Sequence, residues 1–391
     1  MIRALRSWYR KFVQFNLWAT LYSSWVLGLF PFIYNSRTRK IKRSRWLVGY
    51  GIILNVVLVW TAFKNYAATE PDAITKIFER NPLAHQINQI HNVFLLSTVF
   101  VTYFRNWWLS EELGRILNML LDLHHRHFIE NDSNGCKDFD NYIIYKGSCI
   151  MLELISLIIL EFSDSPNYSF GMLLGVFSIL FMQLGVLLVG MHFHLAVMFI
   201  YRSLWIINRE LLRLVNHLSV MRTTKLATSR VLKLHYLYKR LLELNQRLVA
   251  IFDYQVTLVM MSLLTVNIIS PFYLIVYAIS LKNPLTIYFW LNFLQAMSIN
   301  VMDFWLHISV CELAVRTNQG TARIIKLFND IPDLGMDLER SLTHFVLFSS
   351  HQRVKFNHFG MFDVHNSMGF RMIIACTLYL VYLVQFDFMN L

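Results

Sequence analysis

Residues 165–201 read SPNYSFGMLLGVFSILFMQLGVLLVGMHFHLAVMFIY, and none of these 37 residues carries a formal charge. As a helix rising about 1.5 Å per residue the run is roughly 55 Å long, whereas bilayer hydrocarbon is about 30 Å thick. It therefore reads as one helix that crosses a membrane and continues into water. Four more windows are clear on the same grounds: Trp46–Phe63, Asn81–Phe104, Tyr254–Leu281 and Asn283–Met302. Two are weaker. Tyr142–Leu160 is interrupted by Lys146 and Glu153, and Met372–Phe386 has only 15 uncharged residues, so both need a bundle interior around them. Composition agrees with seven spans: of 391 residues 56% are hydrophobic and 15% charged, against about 25% charged in soluble chains.

Charge sets the expected direction. Residues 1–45, 105–141, 202–252 and 311–364 hold ten, four, ten and six Lys/Arg, whereas the alternate loops at 64–80 and 282 hold three and one. Basic loops stay cytoplasmic, so the amino terminus is expected inside and the carboxyl terminus outside. The seven acidic residues of 105–141 do not count against this, because acidic groups contribute little to the rule. The net charge of +12 is read as attraction to anionic lipid rather than to nucleic acid, since the basic residues alternate with apolar runs of span length. Phe12–Ser36 is also uncharged but has basic clusters on both sides. A helix lying in or dipping into the inner leaflet satisfies both clusters, and no cleavable leader pattern is present.

The expected fold is all-α: a polytopic membrane protein with seven transmembrane helices and a cytoplasmic helical layer. Leu204, Ile207, Leu211, Leu214 and Leu218, and again Leu234, Leu237, Leu241, Leu244 and Leu248, recur at helical spacing and need partners, which they find in one another. Leu313–Phe328 and Phe345–Phe356 read as helix, with a turn at Asn329–Asp333. The chain divides into 1–45, an amino-terminal segment with a membrane-associated helix; 46–310, six spans forming a ligand-binding bundle; 311–364, a cytoplasmic anchor; and 365–391, the last helix.

The last helix carries Tyr379, Tyr382 and Gln385 at i, i+3, i+6, one polar face on an apolar helix. Unpaired polar groups are expensive in hydrocarbon, so this face meets either another helix or water in a pore. Tyr379, five apolar or aromatic residues and then Gln385-Phe386 resemble the carboxyl-terminal signature of insect gustatory receptors. Leu27-Gly28-Leu29-Phe30-Pro31 is similar to an amino-terminal stretch of that family, and Phe359-Gly360-Met361-Phe362-Asp363 to the segment leading into its final helix. The departure is Leu378, where the family usually has Thr; Thr377 lies one residue early and points about 100° away.

The resemblance implies a ligand-gated, nonselective cation channel related to insect odorant receptors. Four subunits, alike or mixed with related receptors, surround one pore lined by the last helix, in the plasma membrane of gustatory neurons. Gln385 and Phe386 would then form the constriction, the phenylalanine closing by dewetting and the amide meeting the ion. Asp387 is expected either to add a ring of negative charge at the mouth or to be a solvated terminal carboxylate.

Candidates for the tastant site are His91, Glu153, Gln183, Asn267, Tyr273, Tyr277, Trp290 and Gln295, polar or aromatic residues within spans. Glu153 either lines a ligand cavity or pairs with a neighbouring helix, and Asp303 is expected in an interface or anchor ion pair. His124-His125-Arg126-His127 is read as a solvated loop rather than a metal site. Cys136, Cys149, Cys311 and Cys376 form no spaced pair, and Asn167-Tyr168-Ser169 is a glycosylation sequon close to the membrane. Nothing calls for a cofactor, and no catalytic motif supports an enzyme. A secondary transporter would need inverted repeats and broken spans, of which Pro271 alone gives a sign. A heptahelical G-protein-coupled receptor would need the opposite amino-terminal side.

Overall fold

A computed structural model of the protein describes residues 2–65, 82–128, 135–163, 170–221, 224–280, 287–360 and 362–389. It is a multi-pass bundle of helices with two small hairpins. The chain enters as α1 (Ile2–Val26), makes an antiparallel hairpin of β1 (Phe32–Asn35) and β2 (Lys40–Arg43), and starts the bundle with α2 (Arg45–Asn65) and α3 (Pro82–Trp108). A short α4 (Ser110–Leu123) ends in a π-helical turn at His124–Phe128. Then come α5 (Lys137–Ser163), α6 (Phe170–Met221), α7 (Thr224–Ser280) and α8 (Ile287–Lys326). After α9 (Met336–His351) a hairpin of β3 (Asn357–His358) and β4 (Phe362–Asp363) leads into α10 (Asn366–Met389).

Six of these helices are long and apolar enough to cross a bilayer: α2, α5, α6, α7, α8 and α10. The seventh expected span, α3, is long enough at 27 residues. Its first half carries His85, Gln86, Asn88, Gln89, His91 and Asn92, which lower its hydropathy; it lies against α7. Of the uncharged run, 170–201 lies in α6, which is unbroken for 52 residues, about 78 Å at the usual rise, and 165–169 fall outside the described residues. Its partner α7 is longer still at 57 residues. Pro271 sits inside α7 near its far end and does not break it.

Both leucine stripes find their partners. All ten of those leucines and isoleucines are buried, where α6, α7, α8 and α9 pack in a layer beyond the spans. Burial of each such side chain contributes about 1.5–3 kcal/mol, so the layer holds the extended helix ends together without lipid. Polar pairs fix its register: Tyr238 donates to Asn318 (2.6 Å), Thr321 to Asn208 (2.7 Å) and Asn208 to the Thr317 carbonyl (2.8 Å). The expected boundary near residue 310 falls inside the continuous α8, so 311–326 is a helical extension of a span. The helix expected over Phe345–Phe356 ends earlier, at His351.

Candidate functional site

Among the six helices of span length and hydropathy, the terminal helix is the least enclosed. Only 11% of its apolar window is buried, against 28–44% for the other five windows of that kind. One side, through Met368, Leu383 and Asp387, packs inward; α10 lies against α7 and α8. On the free side Tyr379 and Tyr382 are 60% and 58% exposed, Gln385 is exposed and Phe386 is half-buried. Among the described residues, the polar face legible in the sequence thus stays exposed rather than packing on another helix of its own subunit. Asp387 differs from both expectations held for it. It is 6% exposed, because two residues beyond Gln385 is about 200° around a helix, and that turns its carboxylate into the subunit rather than toward a mouth or solvent.

The hairpin before α10 is fastened to the longest helix. Asp253 of α7 accepts the backbone N–H of Phe359 (2.9 Å), and the same Oδ1 lies 3.2 Å from Nδ1 of the buried His358. Phe359 and Gly360 both have positive φ, 57° and 69°. For a phenylalanine that conformation is strained, so it needs outside support. Asp253 and the ring of Tyr254, 4.2 Å from that of Phe359, supply it. The guanidinium of Arg105 lies over Tyr254 (4.3 Å) and donates to the carbonyls of Ala250 and Ile251, which ties α3 to the same point. Burial holds the His358 imidazole below its ordinary pKa, against the opposing pull of Asp253. The ring is therefore neutral at physiological pH.

Inside the bundle, Lys146 of α5 and Asp303 of α8 form a buried ion pair. Asp303 is thus ion-paired, but inside the bundle of one subunit rather than at the interface or anchor expected of it. Lys146, Cys149, Glu153 and Ser156 follow at helical spacing along α5. Two turns beyond the pair, Glu153 presents a buried Oε2 with no hydrogen-bond partner among the described residues, as does the Ser156 hydroxyl. A cavity of about 20 Å³ lies beside Lys146, Asp303 and His307, enough for one water molecule.

The other ligand candidates are dispersed. His91 Nδ1 meets the Thr265 hydroxyl at 2.9 Å, joining α3 to α7 two residues before Asn267. Gln183 and Asn267 each keep a buried side-chain oxygen unpaired among the described residues. Trp290 and Gln295 are half-buried on α8, and the side chains of Tyr273 and Tyr277 lie outside the described set. No hydrogen bond among the described residues joins any two of the eight candidates. Asn167 also lies outside the described residues. The histidine run at 124–127 forms the π-helical turn. What sequence reasoning missed is Lys146 as the partner of Asp303, and Asp253 as the tie to the last hairpin. A charge within a span signals the first; nothing in the sequence singles out the second.

Compared with known proteins, residues 17–390 match the family model described as 7tm chemosensory receptor. The chain is 46% identical over its full length to the Drosophila melanogaster gustatory receptor for bitter taste 22e, covering all of that protein. It is 44% identical to putative gustatory receptor 22a of the same fly, over 97% of this chain and 95% of that one. The fold is that of the insect olfactory receptor OR5 from Machilis hrabei, with a TM-score of 0.62 at 11% identity and 98% of each chain covered. A second structure of OR5, in complex with eugenol, matches at 0.60 with the same coverage. These are seven-span chemosensory receptors of the insect type. The chain belongs to the insect gustatory receptor family.

Proposed function

We propose that the protein is a tastant-gated, nonselective cation channel, with four subunits arranged so that the free faces of their α10 helices line one pore. The observation that carries this reading is the exposure of Tyr379, Tyr382 and Gln385 on a span that is only 11% buried. A lone polar face in lipid would be costly, and fourfold assembly would supply both water and neighbouring protein. The charge distribution supports a cytoplasmic amino terminus and an extracellular carboxyl terminus, which puts the layer of extended helices inside the cell as an anchor. Gln385 and Phe386 form the constriction.

Tastant binding is assigned to the half of the bundle that holds Gln183, Asn267, Trp290 and Gln295, where unpaired buried oxygens await a donor. A ligand opens the pore by binding the open arrangement more tightly than the closed one. The likeness to a relative named for bitter taste makes bitter compounds the first ligands to try. The membrane is the plasma membrane of gustatory neurons, and the assembly is either homomeric or shared with related receptors. The test is expression of the full chain in cells, alone and with related receptors, with whole-cell recording across a tastant panel. Ligand-evoked cation currents are expected; surface-expressed protein that stays silent in every combination would overturn the reading.

A further inference from the structure

The extended ends of α6 and α7 border a basic, partly open cavity of about 520 Å³ whose Arg213, His217, Arg230 and Lys233 side chains reach solvent, with the π-helical turn along one side. Arg213 and His217, one helical turn apart on α6, face Arg230 and Lys233, three residues apart on α7. His127 of the turn completes the lining, with a buried Nδ1 that has no protein partner among the described residues. Glu210 is the single acidic residue in the wall, and it is already held by Arg213 at 2.5 Å. Arg230 and Lys233 have no carboxylate partner among the described residues. Three permanent cations thus converge on one cavity against one carboxylate. Like charges are not gathered around a cavity without cost, and guanidinium forks match phosphate oxygens two at a time.

We propose that this cavity binds a soluble organic anion carrying more than one phosphate group, which clamps α6 to α7 within the helical layer. The volume lies in the range of small-molecule sites, about 300–1,000 Å³. Depth separates a free anion from a lipid headgroup. Tyr201 ends the uncharged run, and Arg213 and His217 are 12 and 16 residues further along the same unbroken helix, about 18 and 24 Å at the usual rise. That is beyond the reach of a headgroup seated in the bilayer surface. This distance along α6 is the same whichever side of the membrane the layer occupies.

The experiment uses the full-length protein, purified in detergent and separately in nanodiscs with and without phosphatidylinositol bisphosphate. Inositol hexakisphosphate and pyrophosphate are the soluble probes, titrated at constant ionic strength with chloride as control and read by calorimetry and thermal unfolding. Saturable binding in detergent with a rise in Tm is expected, weakened at least about tenfold by Arg230→Gln with Lys233→Gln. Both side chains are exposed, so the variant is expected to keep the unliganded Tm of the parent. Arg213→Gln, on the opposite wall, provides a second and independent loss. Absence of binding, equal binding by all variants, or binding to the lipid-containing nanodiscs alone would each overturn the assignment.

Discussion

Asp253 and His358 are 105 residues apart in sequence, and their contact fastens the hairpin that feeds the terminal helix onto the middle of α7. The same carboxylate oxygen also takes the N–H of Phe359, a residue in strained left-handed conformation. A tie at this place is expected to pass a shift of α7 to α10 rather than let it be absorbed by a loose loop. Asp253→Ala leaves that N–H without its acceptor, a loss of about 1–3 kcal/mol. The expected result is an unchanged surface level with a weakened or leaky response to agonist, measured by surface labelling alongside recording. A normal dose–response curve would show that the tie does not couple the two helices.

Acid should loosen the same tie. The His358 pKa is depressed in the folded protein, chiefly by burial, so the unfolded or opened chain takes up a proton first. The stability this ring contributes is full above about pH 6.5, its ordinary value, and is lost as pH falls through the lower folded value. Agonist currents recorded with the face bearing the hairpin at pH 7.5 and then 5.5 should change reversibly. His358→Phe preserves the ring contacts and should remove that component, while His307, whose ring lies 6.5 Å away, remains in both proteins as the internal control.

The Lys146–Asp303 pair makes a prediction about charge rather than shape. Both side chains are almost fully buried. Removing one partner strands the other charge in the bundle, at a cost of about 3–5 kcal/mol, whereas removing both is close to neutral. Lys146→Met and Asp303→Asn should each reduce the yield of folded receptor sharply, and the double variant should restore most of it. Fluorescence-detected size exclusion of solubilised protein measures this directly. Equal yield from both single variants and the parent would show that the two charges are not buried together.

Much of this was readable beforehand, for definite reasons. Span positions follow from uncharged windows of bilayer length and the two leucine stripes from a local period of 3.6, and the structure holds the stripes in α6 and α7. Lys146, Glu153 and Asp303 announce a polar interior because charge in a span is rare. Local patterns do not carry partners at long range, which is why Asp253, one aspartate near the start of a span, gave no signal. Spacing put Asp387 about 200° from Gln385, but which of the two sides faces inward depends on what α7 and α8 leave free, and that is not in the local pattern. Both hairpins escaped as well: four-residue and two-residue strands are too short to show alternation.

The Leu27-Gly28-Leu29-Phe30-Pro31 stretch has a physical reason that its letters hide. Gly28 has φ of 65°, and a Cβ on it would lie 2.3 Å from the Cα of Gly51 in α2. Neither backbone can yield, because the turn is held on both sides. Asn55 donates to the Leu27 carbonyl (3.2 Å), Asn106 donates to that of Leu29, and the Trp25 indole donates to Phe32 (3.1 Å). Gly51→Ala is permitted by helix propensity and even favoured by about 1 kcal/mol in an isolated helix. Here it should instead push the turn at Gly28 away from α2 and lower the Tm; a gain in stability would contradict the close approach.

Gln385 and Asp387 lie two residues apart and should behave oppositely. Gln385 is on the exposed polar side of α10 with Tyr382, whereas Asp387 is turned into the subunit and is 6% exposed. If the exposed side lines the pore, Gln385→Ala changes the size or hydration of the constriction at four places at once. Single-channel conductance or the relative permeability of sodium and potassium should then shift. Asp387→Asn changes no group on that side, so cation preference over chloride should stay as in the parent, while the loss of a buried carboxylate should lower surface expression. Reversal potentials in dilution experiments separate the two effects, since they report selectivity independently of channel number. Should Asp387→Asn lower cation preference while Gln385→Ala leaves conductance and permeability intact, the pore would run along the other side of α10, and the inward packing seen in a single subunit would have to rearrange on assembly.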